Sequence, residues 1–276
     1  MRRRDHPNPS APPEQKLRLR YTKRGRLRFT SHRDLARAFE RALRRAGVPM
    51  AQSQGFNPRP KISWANAVPT GVASEAEYVE LQLAEQVDPA VLCTELNRAL
   101  PAGMDLVEAV EAGPGSLPER LEAGRWLTEL PGVSPAALRS AVAELLVAER
   151  VEVQRTTKDG TRTMDARAAV LSAEVLDSTD LAALSDRFPA FIAQVDDWPK
   201  GREPYGILVT VVRQTTPAVR PDDVLNALRV VADLAPAAAR ATRWEQGRLD
   251  DEGGIADPFA LDRAAAATQR GELPTG

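Results

Sequence analysis

The sequence predicts an α+β protein made of two ferredoxin-like units in tandem, each with the element order βαββαβ. In about the first hundred residues, segments in which apolar and polar residues alternate are interleaved with two segments of helical apolar spacing. A second series of this kind begins after the Gly- and Pro-containing stretch from Gly113 to Glu119. Two helices in such an order can cover one face of an antiparallel sheet, which is the ferredoxin-like arrangement.

The first unit is expected over residues 16–112. Lys16–Lys23 alternates Leu and Tyr with Arg and Thr, which is typical of a half-buried strand. The strongest helix signal begins at Ser31, a candidate N-cap, and ends at Gly47, with apolar residues at helical spacing between them. Two strands, a helix with Pro89 at its first position and a closing strand complete this unit.

The second unit is expected over residues 124–247. A strand, a helix with Ser134 as its N-cap and a hairpin that turns at Asp159-Gly160 follow one another. A less periodic insertion is expected near 168–205, before a continuous apolar strand and a helix with proline and two aspartates in its first turn. The visible order is therefore β-α-β-β, an interruption and β-α, which we interpret as another ferredoxin-like unit.

Three segments lie outside these two units. Residues 1–15 form a basic, Pro-rich tail and residues 248–276 form an Ala-rich end, and we expect neither to have a fixed structure. Residues 113–123 are expected to link the units, because proline and glycine interrupt the periodic pattern there.

The scarcity of cysteine and histidine excludes several classes of site. Cys93 is the only cysteine, so this chain alone cannot form a disulfide, an iron–sulfur cluster or a cysteine-rich zinc site. His6 and His32 are the only histidines, which excludes a multi-histidine metal site within one chain. We expect no cofactor and assign no metal ligand, although a carboxylate site for magnesium is not excluded by these counts.

The sequence predicts a soluble cytoplasmic protein. Residues 1–15 are charged but are followed by no apolar run, which is unlike a signal peptide. Elsewhere, charged residues interrupt every apolar stretch well before it reaches the length that crosses a bilayer.

The net charge of −1 conceals a strong asymmetry. Residues 1–62 contain 17 Lys and Arg against 4 Asp and Glu, a net of +13, whereas the remainder contains 20 against 34, a net of −14. This asymmetry indicates an electrostatically steered partner for the basic part, with nucleic acid as the first candidate. The alternative is a solvated, Arg-rich surface that binds nothing.

The helix predicted from Ser31 to Gly47 places its arginines opposite its apolar face. Guanidinium groups bind phosphates bidentately and stack on bases, so this face suits an RNA backbone. Glu40 can instead pair with Arg37 and Arg44 at helical spacing, which would leave a solvated face without a ligand. The basic residues assigned to the candidate RNA surface are Lys23, Arg24, Arg26, Arg28, Arg33, Arg37, Arg41 and Arg44.

The stretch "SQGFNPRPKISWA", residues 53–65, combines aromatic rings with cations where an ordinary loop would be polar. Its two prolines bias the residues before them to extended conformations and so stiffen the loop. Rings beside cations suit single-stranded or flipped bases, whereas the competing interpretation makes the rings core residues. The loop residues assigned to nucleic-acid binding are Phe56, Asn57, Arg59, Lys61 and Trp64.

His32 lies near the start of the predicted helix, where the helix dipole favours a neutral imidazole able to act as a base. Ferredoxin-like RNA endonucleases of CRISPR systems are similar in placing a histidine near a first helix. His32 is therefore assigned as a nucleic-acid contact and as the candidate for a catalytic residue. No partner base or nucleophile is identifiable from the sequence.

The region from Arg20 to Leu83 resembles the radical-SAM-linked protein family. The stretches that carry the resemblance are "KRGRLRFTSHRDL" (Lys23–Leu35), "RALRRA" (Arg41–Ala46), "SQGFNPRP" (Ser53–Pro60) and "VPTGVASEAEY" (Val68–Tyr78). Members of this family are domains of unknown function, found either fused after a radical SAM domain of the cobalamin-binding type or as separate chains. The resemblance therefore implies a radical SAM protein as a partner.

The cysteine count and the resemblance together predict an accessory role. A radical SAM cluster needs three cysteines, and this chain has one, so the radical chemistry would lie on the partner. The leading hypothesis is a module that binds tRNA or rRNA and acts with a separate radical SAM enzyme, without being an enzyme itself. The alternatives are a protein–protein adaptor for that enzyme without RNA contact, and a metal-independent ribonuclease that uses His32.

Overall fold

The computed structural model of the chain describes residues 12–157, 160–177, 185–186, 188–189, 204–236 and 238–269. The helices that we number are α1 (His32–Arg45), α2 (Pro89–Ala99), α3 (Pro135–Val147), α4 (Pro221–Ala232) and α5 (Ala260–Gln269). The strands are β1 (Gln15–Lys23), β2 (Ile62–Ala65), β3 (Ala73–Leu83), β4 (Leu106–Glu111), β5 (Ala123–Pro131), β6 (Glu152–Thr157), β7 (Gly160–Asp165), β8 (Val170–Asp177), β9 (Tyr205–Arg213), β10 (Arg240–Leu249) and β11 (Ile255–Ala256). The predicted α+β class is confirmed. Among the described residues, no helix is long and apolar enough to cross a membrane.

The chain divides into two compact units. The first contains Met1–Arg120 together with Asp257–Gly276, and the second contains Leu121–Ala256. The division after Arg120 falls inside the segment 113–123 that was expected to be a linker. Residues 1–11 of the expected N-terminal tail lie outside the described residues.

The first unit is built on one antiparallel sheet with the strand order β4-β1-β3-β2. Its elements follow the chain as β1, α1, β2, β3, α2 and β4. The apolar residues of β1, β3, α1 and α2 form one core, in which Leu17, Leu19, Phe39, Leu81 and Leu96 are fully buried. Burying these side chains against the sheet fixes which face of each helix points outward.

Helix α1 has the predicted amphipathic form. The Ser31 hydroxyl accepts a hydrogen bond from the backbone N–H of Asp34 at 3.2 Å, so Ser31 is the N-cap. Leu35, Phe39 and Leu43 are buried on the side that faces the core. The opposite side of the helix is therefore left to its arginines.

The second unit has an antiparallel sheet with the strand order β10-β5-β9-β8, and β11 pairs with β10. The strands of the predicted hairpin are confirmed as β6 and β7, which form a separate two-stranded sheet, and Asp159 of its predicted turn lies outside the described residues. Strand β8 lies instead within the segment 168–205 that was expected to be an insertion. All residues of β9 except its last are buried, so its backbone N–H and C=O groups need a partner strand on both edges. Most residues of β7 are exposed, which does not suit that buried position. Residues 178–184, 187 and 190–203 of that segment are not among the described ones.

The expectation that residues 248–276 have no fixed structure is wrong for the described part. This part contains the end of β10, β11 and α5, and α5 belongs to the first unit. Phe259, just before α5, is fully buried with its ring edge-on to Tyr78, at a centroid distance of 5.2 Å. One buried ring in an Ala-rich segment gives no periodic pattern, so the sequence did not reveal this attachment.

A buried carboxylate also holds the C-terminal segment in the first unit. Asp262 on α5 accepts hydrogen bonds from Arg18 at 2.6 Å, from Arg120 at 2.9 Å and from the backbone N–H of Gly113 at 2.8 Å. Asp262 and Arg18 are fully buried. Buried charges are tolerated only when they are paired and hydrogen-bonded, so these contacts fix the position of α5 in the first unit.

Candidate nucleic-acid interface

The outer side of α1 carries a row of four arginines, Arg33, Arg37, Arg41 and Arg44, and all four are exposed. Their spacing places them along about 16 Å of the helix axis at 1.5 Å per residue. Only Arg37 has a carboxylate partner among the described residues, the exposed Asp34 at 3.6 Å. The other three guanidinium groups have no ion pair with any described residue, so within the described part of the chain their positive charge is not compensated.

Glu40 does not neutralise the arginine row. It was the alternative partner for Arg37 and Arg44, but it forms no ion pair with either of them. At the C-terminal end of α1, Arg41 and Arg44 line an open groove of about 310 Å³ together with Arg45. Arg45 donates a hydrogen bond to the carbonyl oxygen of Ala99. This end of the row therefore has three neighbouring guanidinium groups.

Lys23 and Arg24 differ from what was predicted for them. Lys23 is 2% exposed, and its Nζ donates to the carbonyl oxygen of Pro69 at 3.2 Å, so it cannot reach a ligand on the surface. Arg24 is held by Glu75, with 2.8 Å between Nε and Oε1, and by Asp105 at 3.1 Å. The hydrogen bond from Arg24 to Glu75 raises the pKa of Arg24 above its ordinary value. Its charge is already compensated within the protein.

Arg26 and Arg28 lie in the segment between β1 and α1. Arg26 is exposed and has no ion pair with a described residue. Arg28 is half-buried, and its Nε donates to the carbonyl oxygen of Gly71 at 2.9 Å. The Arg28 guanidinium lies 5.7 Å from the ring centroid of Phe29, which is 68% exposed. Phe29 was not assigned to the surface, because an aromatic residue after "RLR" fits a strand as well as an exposed position.

His32 and Trp64 are in direct contact. His32 is the first residue of α1 and is exposed, and its ring lies edge-on to that of Trp64 at a centroid distance of 5.3 Å. Trp64 is half-buried and also contacts Tyr21 at 5.8 Å and Phe39 at 5.2 Å. Trp64 therefore packs against the core of the first unit, and only part of its ring is accessible to a base. No described side chain forms a hydrogen bond with His32, so the structure supplies it with no catalytic partner there.

The loop between α1 and β2 is closed by hydrogen bonds at its base. The backbone N–H of Ser53 donates to the carbonyl oxygen of Arg59 at 2.8 Å, and the N–H of Arg59 donates to the Ser53 hydroxyl at 3.0 Å. Below them, the N–H of Lys61 donates to the carbonyl oxygen of Ala51 at 2.9 Å. These bonds hold the two arms of the loop together, so its tip projects from the unit.

The tip of this loop is exposed to solvent. Phe56 is 88% exposed, and Asn57 and Arg59 are exposed as well. Arg59 has no ion pair with a described residue, whereas Lys61 is half-buried at the base of the loop. Of the two aromatic residues predicted for base contact, Phe56 is thus exposed, whereas Trp64 is half-buried against the core.

The described residues contain no group of three His, Cys, Asp or Glu side chains that is arranged to hold a metal ion. The chemistry available at the candidate interface is therefore that of guanidinium groups, exposed phenyl rings and one imidazole. Guanidinium groups bind phosphate oxygens with parallel N–H donors, and phenyl rings stack on bases.

Comparison with known proteins identifies a family but no activity. A family model described as "Uncharacterized protein conserved in bacteria (DUF2344)" matches residues 16–221. The match is longer than half of the 276 residues and contains every residue of the candidate interface. No curated protein matches the chain.

Proposed function

The chain belongs to this family of uncharacterized bacterial proteins, and we propose that it is an accessory protein that binds tRNA or rRNA for a separate radical SAM enzyme. The observation that carries the RNA-binding part is the arginine row of α1. Arg33, Arg41 and Arg44 are exposed and have no carboxylate partner among the described residues. Like charges one turn apart destabilise a helix by a few tenths of a kcal/mol per pair, roughly, and a bound anion would relieve that cost.

The shape of the charged surface favours a polyanion over a small anion. The arginines are spread along about 16 Å of one helix side rather than gathered in one pocket. A nucleic-acid backbone presents phosphates at regular intervals, so it can engage several guanidinium groups together. Arg33, Arg41 and Arg44, which have no ion pair with a described residue, would attract such a strand electrostatically.

The radical SAM partner rests on the resemblance of Arg20–Leu83 to the radical-SAM-linked family. The single cysteine of this chain means that a cluster with three cysteine ligands would have to be on the partner. In this proposal, this chain would bind the RNA and the partner would perform the radical chemistry.

For the fold, we infer that both units are ferredoxin-like. In each unit, the first strand lies between the third and the last strand of the main sheet, as in β4-β1-β3-β2 and β10-β5-β9-β8. In the second unit, the hairpin of β6 and β7 is inserted between α3 and β8. The equivalent strand orders support this inference. A duplication of one ancestral unit would explain why the two orders are equivalent.

The RNA-binding proposal is tested by fluorescence anisotropy with labelled tRNA and rRNA fragments over a salt series. The binding constant is expected to fall steeply between about 50 and 200 mM salt. The variant Arg33→Gln, Arg41→Gln, Arg44→Gln is expected to bind more weakly and with a salt dependence that is flatter by about two units of logarithmic slope. Its matched control removes the exposed Arg139, Arg213 and Arg229 of the second unit in the same way and is expected to bind like the wild type.

The adaptor hypothesis is separated from RNA binding by co-purification. The tagged chain is recovered from nuclease-treated lysate, and the retained proteins are examined for the visible absorbance of an iron–sulfur cluster. Retention of such a protein by the wild type, together with salt-independent or absent RNA binding, would replace RNA binding by a purely protein-docking role. Loss of that protein on mutation of the arginine row would place the docking surface on α1.

A further inference from the structure

Two phenyl rings have no role in the core of the first unit. Of the aromatic side chains among the described residues, only Phe29 and Phe56 are exposed, at 68% and 88%. Phe29 comes three residues before α1 begins, and Phe56 is at the tip of the loop that follows α1. Both rings therefore belong to the basic part of the chain and to the segments that flank the arginine row.

Contacts beside Phe29 and at the base of the Phe56 loop restrict the segments of the chain that carry the two rings. The guanidinium of Arg28 lies over the Phe29 ring, and that guanidinium is itself fixed by its bond to Gly71. The Phe56 loop is closed at its base by the two hydrogen bonds between Ser53 and Arg59. Gly55, before Phe56, has a φ of +119°, which side chains rarely adopt, so the turn at the tip requires glycine. Rings held in position lose less conformational freedom when a base stacks on them.

We propose that Phe29 and Phe56 are stacking platforms for unpaired bases, and that the RNA substrate is a single-stranded segment such as a loop or an unpaired end. This inference rests on the proposed RNA-binding function and narrows it to a substrate class. In a duplex, the faces of the bases are covered by their neighbours, whereas an unpaired base has a face free to meet a phenyl ring. Helix α1 is about 21 Å long at 1.5 Å per residue. The proposal assigns the bases of such a strand to the two rings and its phosphates to the arginine row.

The inference is tested with an unstructured RNA of about twelve nucleotides and the blunt duplex of the same sequence. Phe29→Ala and Phe56→Ala are each expected to weaken binding of the single strand roughly five- to a hundredfold. The wild type is expected to bind the duplex more weakly than the single strand. Both variants are expected to bind the duplex with the affinity of the wild type. Phe56→Trp is expected to keep the affinity, because it retains a ring. Val147→Ala on α3, which removes an 84% exposed apolar side chain from the second unit, is the control and is expected to bind like the wild type.

The outcomes separate this inference from the proposed function. The arginine variant is expected to weaken binding of both RNAs, whereas the phenylalanine variants affect only the single strand. If the phenylalanine variants bind the single strand as tightly as the wild type while the arginine variant does not, the stacking inference is overturned and RNA binding stands. Equal affinity of the wild type for both RNAs also overturns it. A wild type that binds neither RNA at low salt overturns the proposed function as well.

Discussion

The imidazole of His32 lies edge-on to the indole of Trp64, with their ring centroids 5.3 Å apart. Because Trp64 lies in the edge strand β2, this contact joins the first residue of α1 to that strand. Trp64 also packs against the rings of Tyr21 and Phe39. His32 is thereby positioned by packing, and no described side chain forms a hydrogen bond with it that could activate it as a base. The contact therefore favours a structural or binding role for His32 over catalysis.

We expect that the protein does not cleave RNA and that His32→Ala changes only its affinity. Labelled tRNA incubated with the wild type in EDTA should remain intact on a denaturing gel, because a general base needs a partner that positions or activates it. The loss of affinity in His32→Ala should be small, since the neighbouring arginines carry most of the charge. Time-dependent cleavage by the wild type that disappears in His32→Ala would establish the ribonuclease alternative instead.

Trp64→Ala should destabilise the first unit strongly, whereas Phe56→Ala should not. Trp64 packs against Tyr21 and Phe39, so its removal leaves a cavity and should lower the free energy of unfolding by about 3 kcal/mol. Phe56 is exposed, and its removal should change that free energy by less than about 0.5 kcal/mol. Urea unfolding followed by circular dichroism measures both values. Equal destabilisation by the two variants would contradict the placement of these rings.

Asp262→Ala should destabilise the first unit by about 3 to 5 kcal/mol, because it removes a buried anion that two guanidinium groups share. Arg18 keeps its ion pair with Glu80 at 3.0 Å, whereas Arg120 has no other carboxylate partner among the described residues. The affected groups are those of Arg18, which is fully buried, and of Arg120. Thermal and urea unfolding measure the loss. Asp251→Asn, at an exposed position with no described partner, is the matched control and should unfold like the wild type. A wild-type-like Asp262→Ala would show that the C-terminal segment is not anchored in this way.

The stability of the second unit should fall at high pH because of Tyr205. Burial and the hydrogen bond from its hydroxyl to Glu129 raise the pKa of Tyr205 above its ordinary value. The folded protein therefore keeps this proton at a pH at which the unfolded chain loses it. The contribution of Tyr205 to the free energy of unfolding is complete below about pH 10 and is lost as the pH rises further. Tyr205→Phe should flatten the decline of the unfolding free energy above that pH. An unchanged pH dependence would contradict the raised pKa.

The positions of the strands show where pattern reading succeeds and where it fails. The alternation in β1 and the helical spacing of α1 are local properties, and both elements occur where they were predicted. The hairpin of β6 and β7 was also recognised, but its strands do not join the main sheet. Which strand occupies the edge next to β9 depends on the competition between distant segments for the same backbone groups, and no local pattern records it.

At the candidate interface, too, local spacing predicts some properties of the residues and long-range contacts determine others. The apolar side and the arginine side of α1 are predictable from local spacing, because a period of 3.6 residues fixes the direction of each side chain around the helix. Which of the predicted residues can reach a ligand depends on contacts that form only in the folded protein. Lys23 is satisfied by Pro69 and Arg24 by Glu75, each more than forty positions away in the sequence. Burial and pairing depend on such long-range contacts, whereas periodicity depends on neighbours alone.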